Sequence, residues 1–489
     1  MKRKSGGYLT VFLALSLTAM LSLILTMAEA ARIRVIRART ETVTDTAVCS
    51  VLSEFSRELF EQYDLLFVDA GYGGAGSLEH VRDRLEFYLK KNYETTGISL
   101  YGWPGEFSGL QLAGVGIPEA RFAADSGGAP VREQIYAYMA ADPAGAAAAK
   151  ILAEVNTFQG LQFSADGWMQ QWSDSIHELQ EAKERARRER EERLAQNPGA
   201  DDTVVGGEFE DPTEEVLKFR LRPVLLQVLG NTDGVSGASV NTGSLLSHRE
   251  KHFGNGGEEL MKNSHGYPEA DAVVMDEYIM EKCGCYRENE QKMRLKYQTE
   301  YVLFGKDSDA DNLEKAAQTL LLVRYAADCA YIMTDQVKTA EADTAAAIIA
   351  TIVLLPEIQP VLKNAILLTW AYLECVQDVR TLMDGGKVPL VKTKETWKTS
   401  LSGIFNPSAR KQASGSGLRY EDYLRILLFL EGRDKKTERL MDVMEMDVRK
   451  ALGSESFRMD WCLDALTAES EVESSFGYRC SIRRSAGYN

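Results

Sequence analysis

Residues 8–28 form a run of 21 amino acids without a charge, a proline or a glycine. As a helix this run is about 30 Å long, one hydrocarbon thickness of a bilayer. A mean hydropathy of −0.24 over the whole chain excludes a polytopic membrane protein. The run therefore predicts one transmembrane helix attached to a body that folds in water. Residues 1–40 hold seven Lys/Arg and one acid, Glu29, for a charge of +6, so the remainder of the −16 chain carries −22. A body of that sign argues against nucleic acid as a partner.

Lys2, Arg3 and Lys4 precede the run. By the positive-inside rule they set the topology, with residues 1–7 as a basic cytoplasmic tip. Arg32, Arg34, Arg37 and Arg39 on the far side weigh against that orientation, but the N-terminal cluster usually dominates. Ala28-Glu29-Ala30 has the form of a signal-peptide cleavage site, yet the apolar run is longer than the usual 7–15 residues of a signal peptide. A retained anchor is the expectation, and both readings place the body outside the cytoplasm. Thr10, Ala14, Thr18, Ser22 and Thr26 recur every four residues and make a stripe of small and hydroxyl side chains. Such a stripe permits close helix–helix packing in lipid. The competing reading is that each hydroxyl bonds back to its own helix.

No proline or glycine interrupts residues 8–70, and Val43, Ala47, Val48, Val51, Leu52, Phe55 and Leu59 repeat at helical spacing. This predicts one helix over residues 8–62, about 80 Å long. Its inner half would lie in lipid and its outer half would carry an apolar stripe into the core. Gly7-Tyr8-Leu9-Thr10-Val11-Phe12-Leu13, Glu29-Ala30-Ala31-Arg32 and Asp45-Thr46-Ala47 resemble the N-terminus of Tad-pilus (Flp, type IVb) pseudopilin-like proteins of the TadE/TadG kind. The resemblance covers about 60 residues and implies a membrane helix running into an amphipathic one. A prepilin-peptidase site would place Glu five residues after the glycine, where Phe12 stands. Glu300-Tyr301-Val302-Leu303-Phe304-Gly305-Lys306, Asp311-Asn312-Leu313, Trp370-Ala371 and Tyr420-Glu421-Asp422-Tyr423-Leu424-Arg425 resemble an uncharacterised family of Firmicute membrane proteins linked to Tad-pilus loci. That resemblance implies a context and no reaction.

Along the body, residues 63–69 read as a strand, 77–91 as a helix, and the Gly/Pro-rich 102–130 as loop with short strands. Residues 131–195 read as two long helices, the second a charged one over 173–194 with a solvated face. Residues 197–212, with two prolines, glycines and five acids, read as a linker between a first region (71–200) and a second (201–489). Helices are expected at 271–281, 310–334, 341–355, 361–383 and 420–452. Residues 345–355 are uncharged but too short to span a bilayer, and read as a buried core helix. A closing β-hairpin is expected around Phe476-Gly477. The predicted fold is α+β and mostly α. It has an N-terminal transmembrane helix continuing into a stalk (29–70) and a helical ectodomain with small β elements.

Several patterns invite chemistry. Gly71-Tyr72-Gly73-Gly74-Ala75-Gly76 fits GxGxxG between a strand and a helix, but no clean second strand follows, and a hinge between stalk and body is the better reading. His248 and His252 stand four apart, which would place them on one helical face. With His265, Cys283 and Cys285 they are weak metal-ligand candidates, and their spacing matches neither HExxH nor paired CxxC. Trp103, Trp168 and Trp172 offer a carbohydrate-stacking surface or, more plainly, core packing. Of seven cysteines, Cys329 and Cys375 read as buried thiols, and Cys462 with Cys480 is the disulfide pair to test first. There is no GxSxG elbow and no P-loop. No catalytic residue and no cofactor is therefore expected. The function expected is a non-enzymatic structural or assembly component of a Tad-like pilus or related surface apparatus, with the bilayer and other membrane or pilus-assembly proteins as partners. The alternative is a membrane-tethered metal-dependent hydrolase.

Overall fold

The computed structural model describes residues 6–94, 110–140, 145–256, 260, 271–289, 293–409, 416–474 and 477–488. Two compact units divide the chain, Met1–Ala141 with His248–Pro268 and Met444–Asn489, and Asp142–Ser247 with Glu269–Val443. The 197–212 segment expected as a linker falls inside the second unit, and its residues 202–205 are helical.

In the first unit, α1 (Gly6–Leu52) is one unbroken helix of 47 residues. It stops ten residues short of the expected 62. Ser56 adopts an extended backbone and its hydroxyl accepts from Leu59 N, capping a new helix α2 (Arg57–Tyr63). Absence of Pro and Gly permits a helix to continue, but a good N-cap still ends one. Asp64 in the left-handed region closes α2. Then come β1 (Val68–Asp69), α3 (Leu78–Glu94), β2 (Leu110–Phe122), α4 (Asp125–Met139), β3 (Cys462–Ser474) and β4 (Arg479–Gly487). The strand expected over 63–69 shrinks to two residues. The part of 102–130 that is described is mainly one long strand, not loop. Its Gly and Pro are absorbed by irregularities: Pro118 lies in the register shift between Gly116 and Glu119.

All pairings are antiparallel, and β3 is central. β2 follows one of its edges from Leu110↔Ser474 to Phe122↔Leu463. β1 and β4 share the other edge, with Val68↔Leu463 and then Ala465↔Gly487 to Glu473↔Arg479. The closing hairpin is as expected, with Gly477 at φ 76° in its turn. Phe476 lies outside the described residues. Cys462 begins β3, whereas Cys480 pairs with Val472 ten residues along it, so the two thiols are about 33 Å apart and form no disulfide.

The C-terminal half of α1 lies against this sheet and α3. Ile36, Val43, Ala47, Val48, Val51 and Leu52 pack with Val81, Leu85 and Leu89 and with Leu463, Leu466, Ala468 and Val472. These are the stripe residues picked out by their spacing, apart from Ile36. Burial of such a stripe is what keeps so long a helix attached to the fold.

In the second unit, α5 (Gly145–Gln196) is a single helix of 52 residues; residues 131–195 do hold two helices, α4 and α5, but the second starts at Gly145 and not near Ser173, and the first is short. Three short helices follow, α6 (Asp202–Val205), α7 (Glu214–Arg220) and α8 (Val224–Leu229). Next come α9 (Asp271–Lys282), α10 (Gln298–Phe304), α11 (Asp309–Ile332), α12 (Gln336–Ile352), α13 (Gln359–Met383) and α14 (Tyr420–Leu430). The helix α15 (Arg433–Leu452) contributes its residues 433–443 to this unit and the rest to the first. The single helix expected over 420–452 is thus two, parted at Glu431-Gly432. α13 is the axis of the unit: every side chain from Ala365 to Met383 is buried. α12 is half-buried, contrary to the core reading of 345–355. It turns Ala342, Ala346 and Ala350 inward and leaves Val337, Ile348 and Ile352 exposed. Only small side chains let its backbone lie close to its neighbours.

Candidate functional site

No residue in the apolar half of α1 is buried, although Leu9, Phe12, Leu15, Ile24 and Leu25 are among its side chains. It is long and apolar enough to cross a membrane. Within the small-residue stripe, Thr10 donates to Gly7 O at 2.9 Å, Thr18 to Ala14 O at 3.0 Å and Thr26 to Leu23 O at 2.8 Å. These hydroxyls are satisfied by their own helix, so they add smoothness rather than free donors. Each four-residue step turns the stripe by about 40°. Lys2, Arg3 and Lys4 lie outside the described residues.

The glycine loop spans from β1 to α3 and borders a shallow cleft of about 750 Å³ lined by Glu54, Tyr72, His80, Asp83 and Arg84. A phosphate would need the loop N–H groups. Asp69 already takes them: its carboxylate accepts from Gly71 N at 2.8 Å and Gly73 N at 3.2 Å. Burial raises the Asp69 pKa while those two bonds lower it. Gly76 has a steric role, since a Cβ there would overlap the Trp461 ring. β1 is antiparallel to β3, unlike the parallel strands of a dinucleotide fold. The fingerprint is thus a loop folded on its own aspartate. At the cleft's edge Glu54 binds Arg84, Tyr88 and Tyr72, and Tyr72 is held at φ 47°.

The metal candidates are not drawn together. No helix contains His248 and His252. The His252 ring stacks on Trp461 at 3.6 Å and meets the Phe122 edge at 4.8 Å, and burial lowers its pKa. Cys283 and Cys285 belong to the other unit, where burial pushes the Cys285 thiol up to about 12 and keeps it protonated. His265 lies outside the described residues. Among the described residues no three His, Cys, Asp or Glu are grouped to hold an ion. Trp172 is a core residue packed against Tyr372, Tyr325 and Arg220, Trp168 is partly exposed, and Trp103 lies outside the described residues.

The charge-bearing cluster of the second unit was not singled out from the sequence. Arg324 and Asp328 on α11, Glu374 and Asp378 on α13, and Lys392 on the following segment are completely buried, with Lys398 nearly so. Arg324 Nη2 lies 2.7 Å from Asp378 and 3.2 Å from Asp328, its Nε also donates to Asp378, and its Nη1 donates to Pro389 O and Leu390 O. Lys392 Nζ reaches Glu374 at 2.6 Å and Asp378 at 2.8 Å. Glu374 also accepts from Lys398 N and Thr399 N. Three cations balance three carboxylates, and together they fasten residues 389–399 to two core helices. Burial pushes the Asp378 carboxyl up, but Arg324, Lys392 and Lys398 outweigh it and hold the pKa at about 2. Asp328 is shifted upward by burial, and its Oδ2 has no hydrogen-bond partner among the described residues. The available signal was the i,i+4 pairing of charges (Arg324/Asp328, Glu374/Asp378) inside otherwise apolar helices.

The segments quoted for the second family resemblance meet in this unit. Glu300 accepts from Tyr286 N at 2.9 Å and from the Tyr420 hydroxyl at 2.7 Å. Tyr301 donates to Asp442 at 3.0 Å. Asn312 binds Lys306 N and Lys306 O, and Trp370 Nε1 donates to Thr399. Each of these residues joins segments distant in the chain or closes a turn.

A protein-family model described as "Family of unknown function (DUF5702)" matches residues 205–474, more than half of the chain. No curated protein and no solved structure matches it.

Proposed function

The chain belongs to a family of unknown function (DUF5702), and we propose that this member is a membrane-anchored, extracytoplasmic structural or assembly component of a surface apparatus, of Tad-pilus type. The observation that carries the reading is the division of α1. One continuous helix is wholly exposed and apolar over its first half and is core over its second. A cleavable leader has no reason to share its helix with the core. A linker of flexible residues would serve to tether a body, whereas an unbroken helix transmits position from membrane to fold. The family segments also support a structural reading, because their polar groups bind one another.

In this reading Lys2, Arg3 and Lys4 hold the N-terminus in the cytoplasm, and Ala14 and Ser22 with the self-satisfied threonines let α1 lie close to a neighbouring membrane helix. Membrane partners captured with the native full chain are compared with those captured after residues 8–28 are replaced by a plain poly-Leu helix. Loss of one specific pilus-assembly protein with the replacement supports the proposal. An identical set of partners from both chains overturns it.

A further inference from the structure

The turn between β3 and β4 is tied to α1 close to the end of its apolar run. Arg32 Nη2 donates to Ser474 Oγ at 2.9 Å, and Arg37 Nε donates to the Tyr478 hydroxyl at 2.9 Å. Ser474 ends β3 and Arg479 opens β4, so both bonds seize the turn itself. Arg32 and Arg37 stand four and nine residues past Ala28, about 6 Å and about 14 Å along the axis. The headgroup layer is about 5–8 Å deep beyond the hydrocarbon, and the long arginine stem lets Arg37 reach back towards it. Arg34 lies between them, exposed and without a hydrogen bond or ion pair to any described residue. The Arg479 side chain is 77% exposed. The carboxylates facing this collar are Glu29, 3.2 Å from Arg32, and Glu473, 3.0 Å from Arg479. Among the described residues, four arginines thus meet two acids. Tyr478, apolar in body and polar at its tip, is of the type enriched at membrane interfaces.

We propose that Arg34, Arg37 and Arg479, beside Arg32 (16% exposed), which fastens the turn, form a docking surface for anionic phospholipid headgroups that holds the β3–β4 turn on the bilayer. The inference rests on residues 8–28 spanning the membrane and holds for either orientation. Guanidinium groups bind phosphate oxygens in pairs, which suits them to headgroups. Because Thr44 and the α1 stripe are packed into the same sheet, the turn cannot swing away from its helix. The span and the turn therefore make two points of contact, and together they set the tilt of the first unit.

The test reconstitutes the full chain into phosphatidylcholine liposomes with and without phosphatidylglycerol. Spin-labelled lipids give the relative association constant at the protein surface, and amide exchange reports on the turn. Preference for phosphatidylglycerol is expected to fall about fivefold for each of Arg34→Gln and Arg479→Gln. Both sites are exposed, so folding is kept, which unchanged thermal unfolding checks. The turn is expected to exchange more slowly with phosphatidylglycerol present. A chain that floats with both liposomes, shows no lipid preference and exchanges equally in both overturns the collar alone. A chain that floats with neither overturns the anchor reading and the collar with it.

Discussion

The Thr44 hydroxyl on α1 lies 2.7 Å from Ser470 Oγ on β3, and both residues are completely buried. They are 426 positions apart in the chain, so the N-terminal helix and the C-terminal strand close one core. Thr44 also donates to Thr40 O. Replacing it with Val keeps the shape but leaves Ser470 with a lost partner, and about 1–2 kcal/mol of stability is expected to go. Adding Ser470→Ala should recover part of that loss, as read by denaturant unfolding of the two single variants and the double variant.

Gly76→Ala would drive a methyl into Trp461, which also stacks on His252. Over-packing of this kind costs about 1–3 kcal/mol. The near-ultraviolet dichroism of the tryptophan should change together with the melting temperature. A variant that melts like the parent would show that the loop yields freely.

Cutting the buried charge cluster should be costly. Lys392→Met leaves Asp378, Glu374 and Asp328 short of a cation in a dry site, and a loss of about 3–5 kcal/mol is expected. Residues 389–399 should be the first to lose amide protection. A small loss, under about 1 kcal/mol, would mean that water enters the cluster.

Stability should fall as pH rises from about 4 to about 7. Burial lifts Glu300 to about 7, and Asp276 and Asp464 to about 6. Each folded-state value is above the unfolded one, so the folded chain binds the extra protons between about pH 4 and 7. Their contribution is complete below the unfolded values and is lost through that window. Glu300→Gln keeps an acceptor for Tyr286 N and Tyr420 and removes the buried charge. It should flatten the slope and raise stability at pH 8 by about 1–3 kcal/mol. Unfolding followed from pH 5 to 8 gives the comparison.

Chelation should leave the melting temperature of the purified chain unchanged, because His252 is packed between aromatic rings and Cys285 stays protonated. Stoichiometric zinc found by elemental analysis would reopen the metal-hydrolase alternative.

Much of the fold was legible where local physics decides. The apolar run, the stripe from Val43 to Leu52, the helices near 78–94, 309–332 and 359–383, and the closing hairpin all follow from period and turn residues. Errors fell where long-range pairing overrides local preference. The Gly/Pro-rich segment around Pro118 is a strand because β3 offers it an edge, and its irregular residues are taken up as bulges. Residues 431–432 break a helix whose apolar pattern runs on past them.

Sequence alone determined that one helix can cross a membrane and that an acidic, mostly helical body follows it, because length, hydropathy and charge are properties of single segments. Tertiary structure decided which polar residues are buried and what they bind. Arg324 meeting Asp378, Asp69 occupying its own glycine loop and Arg37 holding Tyr478 all depend on where the chain returns in space. A charge is affordable in a core only once its partner is in place, and no local pattern announces that partner.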